Sequence, residues 1–212
     1  MSAGDKLVYF TAHGRAEPTR MLYIVAGKSL NDVRVTHQEW PIMKGEQPLG
    51  QVPVFHCEEG SLVMSRTIAR FAAKRLGLVG ETAWDEAMND MVVETCSDCM
   101  EEITREVYYW LIFKRCPEPE DSAKVKEAVR GKIVKSMNFI QSLAEKKGKK
   151  FILDDKILFA DIGLYCFLEF GRKAFPDLLE ITPWVKEFVE KFQNDERIKN
   201  YLATRPPSPI GI

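Results

Sequence analysis

The sequence predicts an α/β domain followed by an all-α domain, divided near Gly80 into residues 1–80 and 81–212. Up to Gly80, short apolar segments alternate with Gly- and Pro-containing breaks, which is typical of short strands and helices. After Gly80, long stretches place apolar residues at helical spacing and carry no strand pattern. A chain of 212 residues has room for two such domains.

The first domain is predicted to have the order β-α-β-β-β-α, with an irregular loop before the third strand. The predicted elements are a strand at 6–10, a helix from about Ala16 to Gly27, a strand at 32–35, a loop at 36–50, strands at 52–57 and 61–64, and a helix from Ser65 to Arg75. Pro18 is tolerated in the first turn of a helix, and Ser65 is expected to cap the last one.

The second domain is predicted to consist of long helices. Thr82 and Asp85 have the spacing of a capping box, which predicts a helix start. A further helix is expected from about Ser122, and the stretch from Leu158 is apolar nearly all round, as in a buried central helix. Thr182-Pro183 predicts one more helix start, because Pro is favoured at the first helical position.

The charge balance excludes some partners. The chain has 30 Lys and Arg against 31 Asp and Glu, whereas binding to nucleic acid needs an uncompensated basic face. Residues 1–80 carry 10 basic against 7 acidic residues, which would suit a small anionic ligand. The basic run Lys146 to Lys150 is interpreted as a solvated loop.

The expected location is the cytoplasm. The N-terminus does not read as a secretory signal, and no apolar run approaches the roughly 20 residues that span a bilayer, so no membrane insertion is expected. Five cysteines, an odd number, indicate reduced thiols and not a disulfide framework. Cys96 and Cys99 have CxxC spacing but fall in mid-helix, where core thiols are expected instead of a redox pair.

Three features of the first domain have chemical meaning. A cis Val52-Pro53 bond would present backbone groups to an extended peptide, although spacing alone favours a trans bond. The helix start at Ser65 suits a carboxylate, although a plain N-cap is the more common role. The hydroxyl of Tyr9, beside the Gly14-Arg15 turn, can donate a hydrogen bond to a thiolate, although a strand Tyr more often only packs. Together these features indicate a peptide-binding α/β site.

Five segments carry a resemblance to a known family. In order they are Lys6 to Phe10, Gly14 to Glu17, Glu39-Trp40-Pro41, Gln51 to Val54, and Ser65 to Arg70. In this order and spacing they resemble the glutathione transferase family over essentially the whole chain. The Tyr9-Phe10, Gly14 to Glu17 and Trp40-Pro41 pieces resemble its sigma class.

The resemblance implies a thioredoxin-like first domain with a cis bond before Pro53, a homodimer, and glutathione as co-substrate. It implies that Tyr9 is the catalytic residue that activates the glutathione sulfur and that Arg15 supports it. The implied glutathione-binding residues are Tyr9, Trp40, Lys44, Gln51, Val52, Pro53, Met64 and Ser65. Asp98 is implied to contact the γ-glutamyl amine of glutathione bound to the neighbouring subunit. The implied electrophile pocket comprises Phe10, Ala12, His13, Arg15 and Met100.

Three departures from the family pattern matter. Met64 stands where the family usually has Gln or Glu, which removes a side-chain hydrogen bond worth about 0.5–1.5 kcal/mol to the γ-glutamyl end. Leu158 replaces the hydroxyl residue that usually caps the helix containing Asp161, at a cost of about 1 kcal/mol. Residues 11–13 and 101–110, expected around the electrophile, are this chain's own and leave the electrophile open.

The resemblance implies a detoxifying transferase that joins glutathione to small hydrophobic electrophiles. One alternative is the glutathione-dependent isomerisation of prostaglandin H to D, an activity of the sigma class. A non-enzyme alternative is a structural or ligand-sequestering protein like the S-crystallins, and Met64 favours it. Glu94 and Asp98 leave a weak divalent-ion site open, but spacing predicts no metal.

Overall fold

Four strands of the N-terminal region form one mixed sheet in the computed structural model, which describes residues 4–208. They are β1 (Lys6–Phe10), β2 (Asn31–Val35), β3 (Val54–Cys57) and β4 (Gly60–Val63), and they lie in the order β2-β1-β3-β4. β1 pairs parallel to β2 and antiparallel to β3, and β3 pairs antiparallel to β4. Leu7 of β1 is fully buried opposite Phe55 of β3, so the middle of the sheet forms the core.

The helices of this region are α1 (Glu17–Val25), α2 (Trp40–Met43) and α3 (Ser65–Arg75). A 3-10 turn at Gly14–Ala16 leads into α1, and another at Lys44–Glu46 follows α2. The loop that the sequence predicts as irregular therefore contains one short helix. The predicted α/β plus all-α fold class is confirmed, including the β-α-β-β-β-α order of its thioredoxin-like part.

Long helices make up the following region. They are α4 (Ala83–Ile103), α5 (Tyr109–Leu111), α6 (Ser122–Lys147), α7 (Phe159–Gly171) and α8 (Pro183–Gln193), and the π-helical segment Thr104–Tyr108 joins α4 to α5. The predicted buried helix is α7, which packs against α4. Gly163 allows this approach, because a Cβ there would lie 2.8 Å from Cγ2 of Val93. Within residues 4–208, no helix is both long and apolar enough to cross a bilayer.

The helix starts follow the predicted caps with one exception. Thr82 and Asp85 exchange the two hydrogen bonds of a capping box, and Thr182 accepts the Val185 N–H. Ser65, however, is the first residue of α3 and not its cap, so that prediction is wrong. Met64 precedes the helix at φ +70°, and its C=O already accepts the Ile68 N–H at 3.0 Å.

The chain divides into two compact units. Unit 1 comprises residues 4–81 together with 195–208, and unit 2 comprises residues 82–194. The last helix, α9 (Glu196–Thr204), belongs to unit 1, where it packs against α1. The predicted second domain, 81–212, therefore assigns to the helical part a C-terminal segment that the structure groups with the sheet.

Candidate active site

A cleft of about 430 Å³ opens in unit 1 along the loop and strand ends that the sequence singles out. Nine of the predicted site residues line it: Phe10, Arg15, Trp40, Lys44, Gln51, Val52, Pro53, Met64 and Ser65. Leu49, Gly50 and Val63 complete the lining and were not predicted. The structure thus brings together residues that are up to 55 positions apart in the chain, between Phe10 and Ser65.

Two aromatic rings form the apolar wall of the cleft. Phe10 ends β1, and its ring centre lies 5.2 Å from that of Trp40, at the start of α2, in an edge-to-face arrangement. The ring centre of His37 lies 5.5 Å from that of Phe10. Edge-to-face contacts of this kind stabilise aromatic pairs beyond simple burial. The short helix α2 therefore fixes Trp40 at the edge of the cleft.

Lys44 reaches the cleft across a glycine. Gly50 has φ +56°, which an L side chain rarely adopts, and a Cβ there would lie 3.5 Å from Cε and 3.7 Å from Cγ of Lys44. The aliphatic stem of Lys44 therefore packs over Gly50. Arg15 is the second cation of the lining, and no carboxylate is found among the described lining residues. The cleft suits an anionic ligand.

The Val52-Pro53 peptide bond is cis, as the resemblance implies and against the preference from spacing alone. β3 begins at Val54, so Val52 and Pro53 lie just before the strand and line the cleft. At the other end of the lining, α3 begins at Ser65. The first N–H groups of a helix have no partner within the helix and attract negative charge. The segment that precedes β3 and the first turn of α3 therefore border one cleft.

Tyr9 is buried beside this cleft, and its hydroxyl is held by the turn that follows β1. Its Oη accepts the backbone N–H of Arg15 at 3.2 Å, which leaves the phenol proton available for donation. Burial raises the pKa of Tyr9, although the Arg15 hydrogen bond and the charges of Arg15 and Arg20 act in the opposite direction. The phenol is therefore protonated at neutral pH and can donate a hydrogen bond to a ligand.

Five predicted site residues lie outside the cleft lining. Tyr9, Ala12 and His13 belong to unit 1, where Ala12 is buried and Nε2 of His13 lies 2.8 Å from the Pro206 C=O. Asp98 and Met100 lie on α4 in unit 2, with Asp98 exposed and Met100 half-buried. The roles predicted for these residues stay predictions.

The sequence interpretation missed a buried ionic cluster formed by Glu17, Arg20 and Asp32. Glu17 and Arg20 of α1 are each 3% exposed, and the guanidinium carbon of Arg20 lies 5.8 Å from the ring centre of Tyr9. Arg20 also pairs with Asp32 of β2 at 3.0 Å. An acidic and a basic residue three positions apart on a helix usually form an exposed pair, so the pattern gave no sign of burial.

Neither a redox pair nor a metal cluster is found in the part of the chain that the structure describes. Cys96 and Cys99 are both buried within α4, and burial raises the pKa of both thiols. The predicted core thiols are thus unreactive as thiolates at neutral pH. Residues 4–208 contain no group of three or more His, Cys, Asp or Glu placed to hold a metal ion.

Comparison with known proteins gives relatives along the full chain. The family described as "Glutathione S-transferase, C-terminal domain" matches residues 104–205. Probable glutathione S-transferase 8 of Caenorhabditis elegans is 30% identical over 201 residues, which cover 95% of this chain and 96% of the relative. Glutathione S-transferase S1 of Drosophila melanogaster is 31% identical, over 96% of this chain and 80% of the relative.

Solved structures agree with these relatives. A Nu-class transferase of Haemonchus contortus is 30% identical with a TM-score of 0.83, covering 98% of this chain and 99% of that one. Na-GST-3 of the hookworm Necator americanus, described as monomeric, is 29% identical with a TM-score of 0.84, covering 98% and 100%. Prostaglandin synthase D of Nilaparvata lugens is 25% identical with a TM-score of 0.81, covering 96% and 99%. The chain belongs to the glutathione S-transferase family.

Proposed function

We propose that this protein binds glutathione in the cleft of unit 1 and transfers the glutathione thiolate to small hydrophobic electrophiles. The observation that carries the proposal is the convergence of nine predicted residues on one cleft that holds two cations. Glutathione is an anionic peptide with an extended backbone, and both properties match this lining.

The binding mode follows from the chemistry of each part of the cleft. The γ-glutamyl carboxylate binds at the start of α3 through Ser65, and the cysteinyl backbone pairs with Gln51 and Val52 before β3. Trp40 and Lys44 hold the glycyl end. Met64 lines the γ-glutamyl end and is 60% exposed, but its thioether offers only a weak hydrogen-bond acceptor there.

Tyr9 and Arg15 perform the chemical step. The Tyr9 proton is donated to the glutathione sulfur, which favours the thiolate, and each unit by which the thiol pKa falls corresponds to about 1.36 kcal/mol. Arg15 supports Tyr9 through its backbone N–H and extends the cationic lining. The thiolate then attacks an electrophile held near Phe10 and Arg15, with Ala12 and His13 at the same turn.

Substitution of Tyr9 by Phe tests this assignment. We expect Tyr9→Phe to lower the turnover of 1-chloro-2,4-dinitrobenzene by about 10²-fold, the scale of losing one donor to a developing anion, while retention on glutathione-agarose stays unchanged. Tyr23→Phe is the matched control, because its buried hydroxyl donates to Asp5 in the same unit and does not line the cleft. Near-wild-type turnover by Tyr9→Phe would refute the role of Tyr9.

The predicted homodimer is supported by one face of α4. Trp84 is 69% exposed, Met91 is 37% exposed, and Asp98 is exposed as well. Residues seven apart lie two turns along the same helix face, so apolar side chains and the predicted partner-site acid share one surface. We infer that a second copy covers it. Since a hookworm relative is described as monomeric, sedimentation equilibrium is decisive, and a monomer would remove the role of Asp98.

Two other functions have specific tests. The similarity to a prostaglandin synthase D favours prostaglandin H to D isomerisation as a second activity, and product analysis on prostaglandin H decides it. The S-crystallin-like alternative depends on Met64. If the site is active but weakened there, Met64→Gln should lower the KM for glutathione about 2- to 10-fold by restoring one hydrogen bond. A wild-type chain that glutathione-agarose does not retain would favour the structural role.

The finer assignments are part of the same proposal. Sigma class rests on the Tyr9-Phe10, Gly14 to Glu17 and Trp40-Pro41 segments, whereas one structural neighbour is described as Nu class. A detoxifying role in the cytoplasm accords with the five cysteines, all of which are free thiols. Fractionation of cells and a panel of electrophiles test these two points.

A further inference from the structure

Arg20 fixes the turn from which Tyr9 is held. Its side chain is 3% exposed, and Nη1 donates to the C=O of Ala12 at 3.0 Å and to the C=O of His13 at 3.2 Å. Residues 12–15, which we call the Tyr9 turn, also provide the Arg15 N–H that the Tyr9 hydroxyl accepts. The orientation of the Tyr9 hydroxyl therefore depends on the conformation of a turn whose carbonyls Arg20 binds.

Arg20 is itself held from two sides. Its Nε donates to both carboxylate oxygens of Asp32 at 3.0 Å, and Nη1 reaches Oε2 of Glu17 at 3.2 Å. Asp32 in turn accepts from Nε of Arg34 at 2.8 Å. Nη2 of Arg20 is buried without a hydrogen-bond partner among residues 4–208. Buried ion pairs contribute little net stability, and this one leaves a donor of Arg20 without a hydrogen bond. Its main contribution is therefore to orient the groups that Arg20 binds.

Glu17 connects this arrangement to the other end of the chain. While Oε2 binds Arg20, Oε1 accepts the Tyr201 hydroxyl at 3.0 Å and Nη1 of Arg205 at 2.9 Å. Burial opposes ionisation of Glu17, but Arg20, His13 and Arg205 hold its pKa below the ordinary value. The carboxylate is thus charged and bridges α1 to residues more than 180 positions later.

A second link joins the same two parts of the chain. Nε2 of His13 lies 2.8 Å from the C=O of Pro206. A carbonyl only accepts, so this ring nitrogen carries the proton and donates it. The Tyr9 turn is consequently held from the C-terminal end both through Glu17 and Arg20 and directly through His13.

We propose that residues 201–206 are a positioning element of the active site, which acts through Glu17, Arg20 and His13 to keep the Tyr9 turn in the conformation that aims the Tyr9 hydroxyl. This inference rests on the proposed glutathione transferase function. It assigns to Tyr201 and Arg205 a part in catalysis although neither lines the cleft. A purely structural role would be only to attach α9 to α1.

The experiment compares two places at which α9 and its following residues attach to unit 1. The test variant combines Tyr201→Phe with Arg205→Gln, which removes the Tyr201 hydroxyl and the guanidinium charge that hold Glu17. The matched control is Arg197→Gln on the same helix, because Nη1 of Arg197 donates to the C=O of Val25 at the far end of α1. Both variants loosen α9, but only the first disturbs the Tyr9 turn.

Two readouts separate positioning from attachment. The ultraviolet absorbance of the bound glutathione thiolate against pH gives the thiol pKa, which we expect to rise by about one unit in the double variant, with an about tenfold fall in kcat at neutral pH. The KM for glutathione should change less than about twofold, because the binding contacts remain. Arg205→Lys, with Tyr201 retained, should keep most of the activity because the cation remains.

The outcomes are distinct. If the double variant loses as much thermal stability as Arg197→Gln but keeps the wild-type thiolate pH profile and kcat, the proposal is wrong. If wild-type protein binds no glutathione, the proposed function fails, and the backbone amide signal of Arg15 in 15N-labelled protein still tests the positioning. We expect that signal to shift in the double variant only, and an unchanged signal would overturn the inference.

Discussion

The two units each bury a carboxylate, but they satisfy it in opposite ways. Glu17 of unit 1 accepts hydrogen bonds from Arg20, Arg205 and Tyr201. Burial opposes its ionisation, but the charges of Arg20, His13 and Arg205 lower its pKa. Asp161 of unit 2 is fully buried and accepts the N–H groups of Ile152 at 3.0 Å and Leu158 at 2.8 Å. Burial raises the pKa of Asp161 to about 7, because the backbone donors compensate only in part.

The difference shows that a buried carboxylate can either fix the start of a helix or connect separate segments of the chain. Backbone N–H groups fix a helix start, so Asp161 supports α7 and the fold of unit 2 without touching a ligand site. Arginine side chains instead connect separate segments, so Glu17 joins α1 to the C-terminal segment near the Tyr9 turn. We therefore expect substitutions at the two acids to separate stability from catalysis.

The largest effect is expected for Glu17→Gln. It leaves Arg20 and Arg205 buried with one charge fewer between them, and breaking a buried pair in this way costs about 3–5 kcal/mol of unfolding free energy. We expect folded protein to lose turnover as well. Urea denaturation with activity per folded molecule measures both. The control, Glu59→Gln, removes an exposed partner of Arg75 and should leave both unchanged.

Asp161→Asn should cost less and should leave catalysis intact. The amide keeps one acceptor oxygen, so one of the two buried N–H groups loses its partner, at about 1–3 kcal/mol. Urea denaturation gives the loss, and turnover per folded molecule should match wild type. Asp155→Asn is the control, since that exposed carboxylate in the same loop accepts the Lys150 N–H at 3.0 Å. A loss of turnover in Asp161→Asn would contradict the separation.

Gly14→Ala should sharpen the assignment of the Tyr9 turn. Gly14 has φ +44°, and a Cβ there would lie 2.8 Å from Oη of Tyr9, so the hydroxyl must move. We expect kcat to fall about tenfold, and unfolding free energy to fall by about 1–2 kcal/mol from the strained φ. Gly27→Ala is the control, because φ is +63° there but nothing lies within 4 Å, so only stability should fall.

The pH dependence of stability should have opposite signs at the two acids. The raised pKa of Asp161 means that the folded state holds a proton that the unfolded state has lost, so its contribution is full below about pH 4 and is lost as pH rises towards 7. The lowered pKa of Glu17 gives a contribution that is present above its ordinary value of 4.5 and lost as pH falls through the folded pKa.

Urea denaturation between pH 4 and 8 checks these signs. The difference in unfolding free energy between wild type and Asp161→Asn should be larger at pH 5 than at pH 7.5. The excess equals the pH-dependent contribution of Asp161. For Glu17→Gln the difference should shrink below about pH 4.5. If the difference in unfolding free energy changed with pH in the same direction for both variants, the proposed contrast between the two acids would be wrong.

Local patterns were sufficient to predict much of the fold. Gly and Pro breaks predicted the four strands and the helices α1 and α3, but not α2 or the place of α9 in unit 1. The apolar run from Leu158 predicted the buried α7. The exact first residue of α3 was not predicted correctly. Ser65 has the chemistry of a cap, but the backbone turns at Met64 one residue earlier, so the helix already includes Ser65.

Cleft-lining residues were predictable where they lie on the segments that carry the family resemblance, as Trp40 and Val52 do. The ionic cluster was not, because each of its members has an ordinary surface interpretation by itself. Glu17 and Arg20 look like an exposed helical pair, and Tyr201 and Arg205 lie near the end of the chain. Their shared burial depends on a tertiary contact that no window of neighbouring residues contains.

The discontinuity of unit 1 has a consequence for synthesis on the ribosome. Residues 4–81 emerge first, but Tyr201 and Arg205 emerge only after all of residues 82–194 have been made. Glu17 and His13 must therefore remain without their C-terminal partners throughout the translation of unit 2. N-terminal domains commonly fold as units while translation continues. In this chain the Tyr9 turn can acquire its final support only after all of unit 2 has been synthesised.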